Sequence, residues 1–300
     1  MAWNSSMVLD ALRSSDLLEI GILANQTRLN LHPENVVTYE LRGMATSLEE
    51  ASREAALRGG SVDLSQILDA EHIPLDTLQA SLLAQHTQPN QVTFQRLPIA
   101  CLQTVDGSAL AETLRRLHQA GLRSLSATFH TAETASASTT QLANLLRAGA
   151  ECDLRVSISI TIGNSESLEQ RVQTLATLRA LQEESNAIQA VLLRVYHAAT
   201  PEARREEEAT AVDYLKTLAA TRLFLDNIEH LQTDWSVMGP KVLELALRFG
   251  ADDAGAVPWS QAGSPEPSHH GGESELRRII RDAGFRPVER DVLFRQSLLR

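Results

Sequence analysis

Apolar and polar residues alternate strictly in several short segments of the chain. In residues 154–162 (LRVSISITI), leucine, valine and isoleucine alternate with arginine, serine and threonine. Successive side chains of a β-strand point to opposite faces, so this pattern predicts a strand with one apolar and one polar face. By this criterion and by short apolar runs, the chain has strands at 36–41, 61–64, 91–97, 124–129, 154–162, 190–196 and 223–225.

Longer segments between these strands have the apolar spacing of helices. Ser167 and Gln170 form a capping-box pattern at the start of one of them. The predicted helices span 47–57, 75–85, 109–120, 140–148, 167–184 and 206–220. Strands that alternate with helices seven or eight times indicate a parallel sheet covered by helices, and we expect a (β/α) TIM-like barrel.

We expect one domain over residues 1–300. A helical segment precedes the barrel at 1–34, and the barrel itself occupies 35–257. Residues 258–300 comprise a loop rich in Pro, Gly and Ser, a last helix at 273–283 and a tail.

The polar faces of the strands predict the character of the barrel interior. If the apolar faces pack on helices, then small polar side chains line the lumen, whereas an ordinary barrel is filled with bulky apolar residues. Thr38, Glu40, Asp63, Thr93 and Gln95 extend this lining. We therefore expect a hollow, polar barrel that holds a polar ligand or water. An antiparallel sheet with one hydrated face is the alternative.

Composition excludes several classes of protein. The 300 residues carry 27 Lys and Arg against 38 Asp and Glu, a net charge of −11, which argues against binding to nucleic acid. Apolar runs are shorter than the roughly 20 residues that span a bilayer, and the N-terminus does not resemble a signal peptide, so we expect a cytoplasmic protein without membrane contact. Two cysteines, Cys101 and Cys152, are too few for a disulfide framework.

Candidate catalytic groups are few. Asp226 and Asn227 end a predicted strand, where barrel enzymes place functional groups, although both residue types also cap turns. His130 and Glu133 follow another strand and are placed at the barrel mouth. Because no metal-ligand spacing such as HxH or HExxH is present, we predict no metal site.

From Thr210 onward the sequence resembles a known family. TAVDYLKTLAATRLFLDNIEHLQTDWSVMGPKVLELALRFGADD and the ending RRIIRDAGFRPVERDVLF are similar to the radical SAM enzymes of menaquinone biosynthesis, cyclic dehypoxanthine futalosine synthase and aminofutalosine synthase. LLEIGILANQTRLNLHPENVVTY and IGNSESLEQRVQTLATLRALQEES extend the resemblance over most of the chain. It implies a radical SAM barrel, an S-adenosylmethionine site and nucleoside-like futalosine substrates.

The chain departs from the family where the chemistry occurs. Members of the family follow VTY with a CxxxCxxC loop that holds a [4Fe–4S] cluster, whereas here VVTYELRGMATSLEEASREAALRGG continues almost directly into a helix. Cluster ligation needs Cys thiolates. We therefore expect no [4Fe–4S] cluster and no radical chemistry, and we leave open whether S-adenosylmethionine binds.

Three further segments differ. The glycine-rich GGGAE of the family is ATFHTAE, which retains Glu133, and its FGHVE is IGNSE, with Asn164 in place of His. Arg194 stands where the family usually has an aromatic residue. We name Glu133, His130 and Asp226 as catalytic candidates. The ligand-binding candidates, from the polar strand faces and the family positions, are Tyr39, Thr128, Ser157, Ser159, Thr161, Asn164, Arg194, Asn227 and His230.

These observations give two hypotheses. The first is a cluster-less pseudoenzyme linked to the futalosine route to menaquinone. It would be a partner of an active radical SAM paralogue, a homodimer or a nucleoside-binding protein. The second is an enzyme with non-radical acid–base chemistry on a small polar or nucleoside-like ligand in the lumen.

Overall fold

Eight strands form one parallel sheet in the computed structural model. The structure describes residues 3–43, 45, 47–58, 61–68, 74–87, 92–130, 136–198, 200, 208–233, 238–259 and 272–296. The strands are β1 (Val36–Arg42), β2 (Ser61–Asp63), β3 (Thr93–Gln95), β4 (Leu97–Pro98), β5 (Ser124–His130), β6 (Arg155–Ile162), β7 (Ile188–Val195), β8 (His230–Thr233), β9 (Asp253–Pro258) and β10 (Arg286–Glu289). The sheet order is β10-β1-β9-β8-β7-β6-β5-β4, and β2 pairs with β3 in a second small sheet.

Helices connect most of these strands. They are α1 (Ser5–Arg13), α2 (Leu17–Leu31), α3 (Leu48–Arg58), α4 (Leu64–Ile67), α5 (Leu75–His86), α6 (Gly107–Gln119), α7 (Ser136–Glu151), α8 (Leu168–Ser185), α9 (Ala211–Phe224), α10 (Pro240–Arg248) and α11 (Glu273–Asp282), with a 3₁₀ helix at Ile99–Leu102. Within the described ranges, none of the helices has the length and apolar character needed to cross a bilayer.

Local sequence explains where several helices begin. Ser167 and Gln170 form the predicted capping box at the start of α8, and Thr210 with Asp213 forms another at α9. In both cases a hydroxyl accepts from a backbone N–H that the helix leaves unpaired, while the acid or amide side chain satisfies the cap residue's own N–H.

The apolar faces of the strands form the core beneath the helices. In β6, Val156, Ile158, Ile160 and Ile162 are buried, while the alternating side chains are less buried. The sheet curls into a barrel, because side chains of β1 and of β5 through β9 line a single cavity. The expected parallel architecture is confirmed.

Several predicted elements were wrong. The segment 223–225 is not a strand, because α9 continues to Phe224 and both Leu223 and Phe224 are buried. The strands β8, β9 and β10 were not predicted, since each is short and mostly buried and lacks a clear alternation. The predicted strand 91–97 is divided at Arg96, whose φ of 52° interrupts the extended chain.

Candidate functional site

A cavity of about 730 Å³ occupies the lumen at the carboxyl ends of the strands. We call it the lumen cavity. Its size falls within the range of small-molecule sites. Barrel enzymes place their ligands at this same end. The residues from the strands that line it are Arg42, Pro98, Ser126, Ala127, Thr128, Phe129, Ser157, Ser159, Leu192, Arg194, Gln232, Thr233, Gly255 and Ala256.

Hydroxyl groups from two neighbouring strands form one wall of the lumen cavity. Ser126 and Thr128 come from β5, and Ser157 and Ser159 come from β6. Ser126 is paired in register with Ser157, and Thr128 with Ser159, so the four side chains form a compact polar patch. Ser126 Oγ donates to the Arg96 carbonyl at 3.0 Å and therefore offers an acceptor, while the wall as a whole is polar without charge, which suits the hydroxyl and ring atoms of a polar organic ligand.

The remaining lining adds positive charge and apolar surface. Arg194 reaches the lumen cavity from β7 and Arg42 reaches it from β1. Apolar surface comes from Leu102 of the 3₁₀ helix, Leu110 of α6 and Leu142 of α7. The arrangement can therefore accept a ligand that combines a flat or apolar part with polar and anionic groups.

Buried charged side chains border the lumen cavity, and one of them, Arg96, belongs to its lining. We call Glu40, Asp63, Arg96, Asp253 and Arg290 the lumen ion cluster. Arg96 donates from Nη2 to Glu40 Oε1 at 2.6 Å and to Asp63 Oδ2 at 2.9 Å. Arg290 donates from Nε to Asp253 Oδ2 at 2.6 Å and from Nη1 to Glu40 Oε2 at 3.2 Å.

The lumen ion cluster bridges strands that do not pair through their backbones. In the described sheet, β1 pairs with β9 and β10, while β2 pairs with β3. Arg96 follows β3 and connects Glu40 of β1 to Asp63 of β2, and Arg42 lies 3.2 Å from the same Asp63 carboxylate. Side-chain ion pairs therefore hold β1 against β2.

Asp63 and Glu40 stay ionised despite burial. Burial alone would raise the pKa of Asp63, but the Arg96 and Arg42 guanidiniums lower it to about 2. Burial likewise opposes ionisation of Glu40, yet Arg96, Arg42 and Arg290 together hold the pKa of Glu40 below its usual value. Together with Arg42, which pairs with Asp63, three guanidiniums balance the three carboxylates, which indicates a structural role for the group rather than a poised acid or base.

Some predicted ligand-binding residues line the lumen cavity and others lie elsewhere. Thr128, Ser157, Ser159 and Arg194 are in the lining. Thr161 follows on the same face of β6 but lies outside that lining, and Asn164 is exposed in the turn after β6 with a φ of 61°.

Tyr39, His230 and Asn227 lie away from the lumen cavity. The Tyr39 side chain points out of the barrel, because successive strand residues alternate and its neighbours Thr38 and Glu40 face the lumen. Its hydroxyl donates to Glu273 and accepts from Arg277, both at 2.6 Å.

His230 begins β8 at the amino-terminal end of the barrel, where its Nδ1 lies 2.7 Å from Asp252 Oδ2. Asn227 lies in the turn before β8, and its amide donates to the Arg179 carbonyl at 3.2 Å.

The catalytic candidates do not form a site among the described residues. Asp226 follows α9 rather than a strand, so it lies at the amino-terminal end of the barrel, half-exposed and paired with Arg179 at 2.8 Å. Glu133 lies outside the described residues, as does the side chain of His130.

Sequence reasoning missed the residues that hold the lumen ion cluster together. Glu40 and Asp63 were expected in the lining, but Arg96, Asp253 and Arg290 were not selected. Arg96 sits within an apolar run, and Arg290 lies 250 positions from its partner Glu40. Two carboxylates on the inner face of a barrel need buried cations as partners. This need could have indicated that arginines enter the lumen, although it would not have identified them.

The two cysteines do not provide the donor set that a [4Fe–4S] cluster requires. Cys101 lies in the 3₁₀ helix after β4, at the carboxyl ends of the strands, whereas Cys152 lies in the turn before β6, at the opposite end. Burial raises the pKa of both thiols, which disfavours the thiolate form. The link between β1 and α3 spans only residues 43–47, GMATS, and contains no cysteine. The residues of this chain therefore do not fit the cluster.

Comparison with known proteins matches this chain to enzymes named as futalosine synthases and to the family model of their C-terminal region. The family model described as the CofH/MqnC C-terminal region matches residues 198–297. Cyclic dehypoxanthine futalosine synthase from Halalkalibacterium halodurans is 30% identical over 324 residues, which covers 92% of this chain and 86% of that protein. That alignment is longer than the 300 residues of this chain, so the relative contains segments that this chain lacks.

Two further proteins extend the comparison. Aminodeoxyfutalosine synthase from Thermus thermophilus is 31% identical over 159 residues, which covers 50% of this chain and 42% of that protein. The crystal structure of methylornithine synthase superposes with a TM-score of 0.70 at 12% identity, covering 96% of this chain and 94% of that one. At this identity the structural match establishes the fold alone, a TIM-like barrel.

Proposed function

The chain belongs to the radical SAM family of menaquinone biosynthesis that includes cyclic dehypoxanthine futalosine synthase, and from this premise we propose that it is a cluster-less, non-catalytic member that binds a nucleoside-like ligand in the lumen cavity. The observation that carries the proposal is the donor set. The chain has two cysteines, and they lie at opposite ends of the barrel. Without three thiolates in one loop, this chain has no means of holding the iron that cleaves S-adenosylmethionine.

The lumen cavity supports the binding half of the proposal. Its hydroxyl wall of Ser126, Thr128, Ser157 and Ser159 can hydrogen-bond the sugar and base atoms of a nucleoside, and Arg194 can pair with an acidic group. The carboxylates of the lumen ion cluster are neutralised by Arg96, Arg290 and Arg42, so the hydroxyl wall and Arg194 are the groups that contact the ligand.

Thermal unfolding with candidate ligands tests this proposal. Futalosine-type nucleosides or S-adenosylmethionine at about 100 times Kd stabilise the folded state by about 2.7 kcal/mol, which raises Tm by several degrees. The variant Ser159→Leu places a larger side chain in the lumen cavity and abolishes the shift. Thr161→Leu, on the same strand face but outside the lining, retains it. The absence of a shift with every nucleoside, or equal shifts in both variants, contradicts the proposal.

An exposed apolar stripe favours a second role as a protein partner. On α2, Leu18 and Ile22 are 72% and 60% exposed, and Leu29 continues the same face. We propose that this stripe contacts an active radical SAM paralogue. Mixing the protein with the intact synthase, followed by light scattering and turnover measurements, tests this role. Leu18→Glu abolishes the association, and absence of association in the unmodified protein contradicts it.

A further inference from the structure

Two histidines and one aspartate meet at the amino-terminal end of the barrel, away from the lumen cavity. His230 Nδ1 lies 2.7 Å from Asp252 Oδ2, and His32 Nε2 lies 3.4 Å from the same oxygen. One donor atom from each residue falls within 4.8 Å of the others. We call these three residues the His–Asp cluster.

Three separate elements hold the His–Asp cluster in place. His32 caps the end of α2, His230 is the first residue of β8, and Asp252 immediately precedes β9. The His230 ring is stacked between Phe294, with centroids 3.9 Å apart, and His32, with centroids 5.1 Å apart. The rings are therefore oriented by packing before any ligand arrives.

The surrounding contacts are those of a coordinating carboxylate. Asp252 Oδ1 accepts from the buried guanidinium of Arg222 and from the Leu231 backbone N–H, which leaves Oδ2 directed at the two histidines. Hydrogen bonds of this kind orient the ligating carboxylates of metal sites. His32 Nε2 lies 2.9 Å from the Glu229 carbonyl oxygen, which accepts a hydrogen bond when Nε2 is protonated, so coordination through Nε2 requires the His32 proton to move to Nδ1.

We propose that the His–Asp cluster binds a divalent transition-metal ion of the Zn²⁺ class. Two imidazoles and a carboxylate are a donor set that Zn²⁺ accepts, with bonds of about 2.0–2.2 Å, so the donors of a tetrahedral site lie about 3.3 Å apart. The 3.4 Å between His32 Nε2 and Asp252 Oδ2 matches that value, whereas the 2.7 Å between His230 Nδ1 and the same oxygen is a hydrogen-bond distance and must widen to admit the ion. The ion takes the position that a hydrogen-bonding proton occupies between His230 and Asp252.

Proton placement is consistent with this assignment. Coordination through Nδ1 of a neutral His230 leaves its proton on Nε2, which faces the exposed Glu229 carboxylate 3.8 Å away. His32 coordinates through Nε2 and carries its proton on Nδ1. The guanidinium of Arg222, together with nearby Arg28, opposes a dication and limits its affinity, so binding is reversible rather than a requirement for folding.

Titration of the full chain with Co²⁺, followed by displacement with Zn²⁺, tests the site. Co²⁺ reports its coordination through visible absorption, and we expect one ion per chain with both metals competing. His230→Gln and His32→Gln each weaken binding at least about tenfold. His197→Gln is the matched control, since His197 faces a carboxylate, Glu208, at 3.4 Å at the other end of the barrel.

Each outcome decides the proposal. Loss of binding in both cluster variants with retention in His197→Gln supports it. Absence of one-to-one binding in the unmodified chain, retention in either folded cluster variant, or loss in His197→Gln overturns it. If His230→Gln does not fold, the half-buried His32 gives the decisive variant. The readout uses no nucleoside, so it is independent of the proposed ligand in the lumen cavity.

Discussion

Replacing Arg96 by methionine removes the cation that joins β1 to β2. The guanidinium makes four hydrogen bonds, two to Glu40 at 2.6 and 2.8 Å and two to Asp63 at 2.9 and 3.1 Å. Methionine fills a similar volume without charge, and both buried carboxylates lose a partner. Breaking a buried ion pair from one side costs about 3–5 kcal/mol.

The lowered pKa of Asp63 reflects the same contact, to which Arg42 and Ser65 also contribute. It is lowered from 3.8 to about 2, and one pKa unit corresponds to about 1.4 kcal/mol, so Asp63 alone contributes about 2 kcal/mol. Because the folded-state pKa is depressed, this contribution is present above the unfolded value of 3.8 and is lost as the pH falls toward 2. The stability difference between the unmodified protein and Arg96→Met is therefore largest at neutral pH and becomes smaller below pH 3.8.

Urea unfolding at several pH values measures this difference. Arg147→Met is the matched control, because Arg147 pairs with Glu184 at 2.7 Å while both side chains are about half exposed. Such a surface pair contributes at most about 1 kcal/mol. If Arg96→Met loses no more stability than Arg147→Met at neutral pH, or if its loss grows as the pH falls, then the lumen ion cluster does not hold the barrel as described.

Substitutions at three further positions test other parts of the structure. Asp226→Ala removes a half-exposed pair with Arg179 at the end of the barrel opposite the lumen cavity. The free energy of unfolding should therefore change by less than about 1 kcal/mol, and ligand-induced Tm shifts should stay the same. A lost Tm shift would contradict this placement. Gly250→Ala should lower the free energy of unfolding in urea by about 2 kcal/mol or more, because φ is 105° and the new Cβ meets Arg222 Cβ at 2.8 Å. An unchanged stability would contradict the backbone geometry. Ser167→Ala removes the α8 cap and should cost about 1 kcal/mol, whereas Ser167→Asp should retain most of the stability.

The alternating strands were the most predictable part of the fold. In β5 and β6 the period of two is uninterrupted, so the sequence indicated both the strands and the face that lines the lumen cavity. The short strands β8 and β9 were missed, because they are largely buried and their residues show no such period. Asp226 was placed at the wrong end of the barrel because the apolar run that completes α9 was interpreted as a strand.

The charged contacts were much less predictable than the elements. Glu40 was expected to face the lumen, but its partners Arg96 and Arg290 come from distant parts of the chain, and no local pattern links them. The His–Asp cluster also joins residues about 200 positions apart, His32 and His230, without the short spacing that marks many metal sites. Contacts of this kind depend on the register and curl of the sheet.

Anaerobic reconstitution of the full chain with iron and sulfide tests the central claim most directly. Iron and sulfide analysis and electron paramagnetic resonance detect a bound cluster, and product analysis with a reductant detects cleavage of S-adenosylmethionine. With two cysteines at opposite ends of the barrel, we expect no [4Fe–4S] signal and no release of methionine or 5′-deoxyadenosine. A stoichiometric cluster with reductant-dependent cleavage would contradict the account.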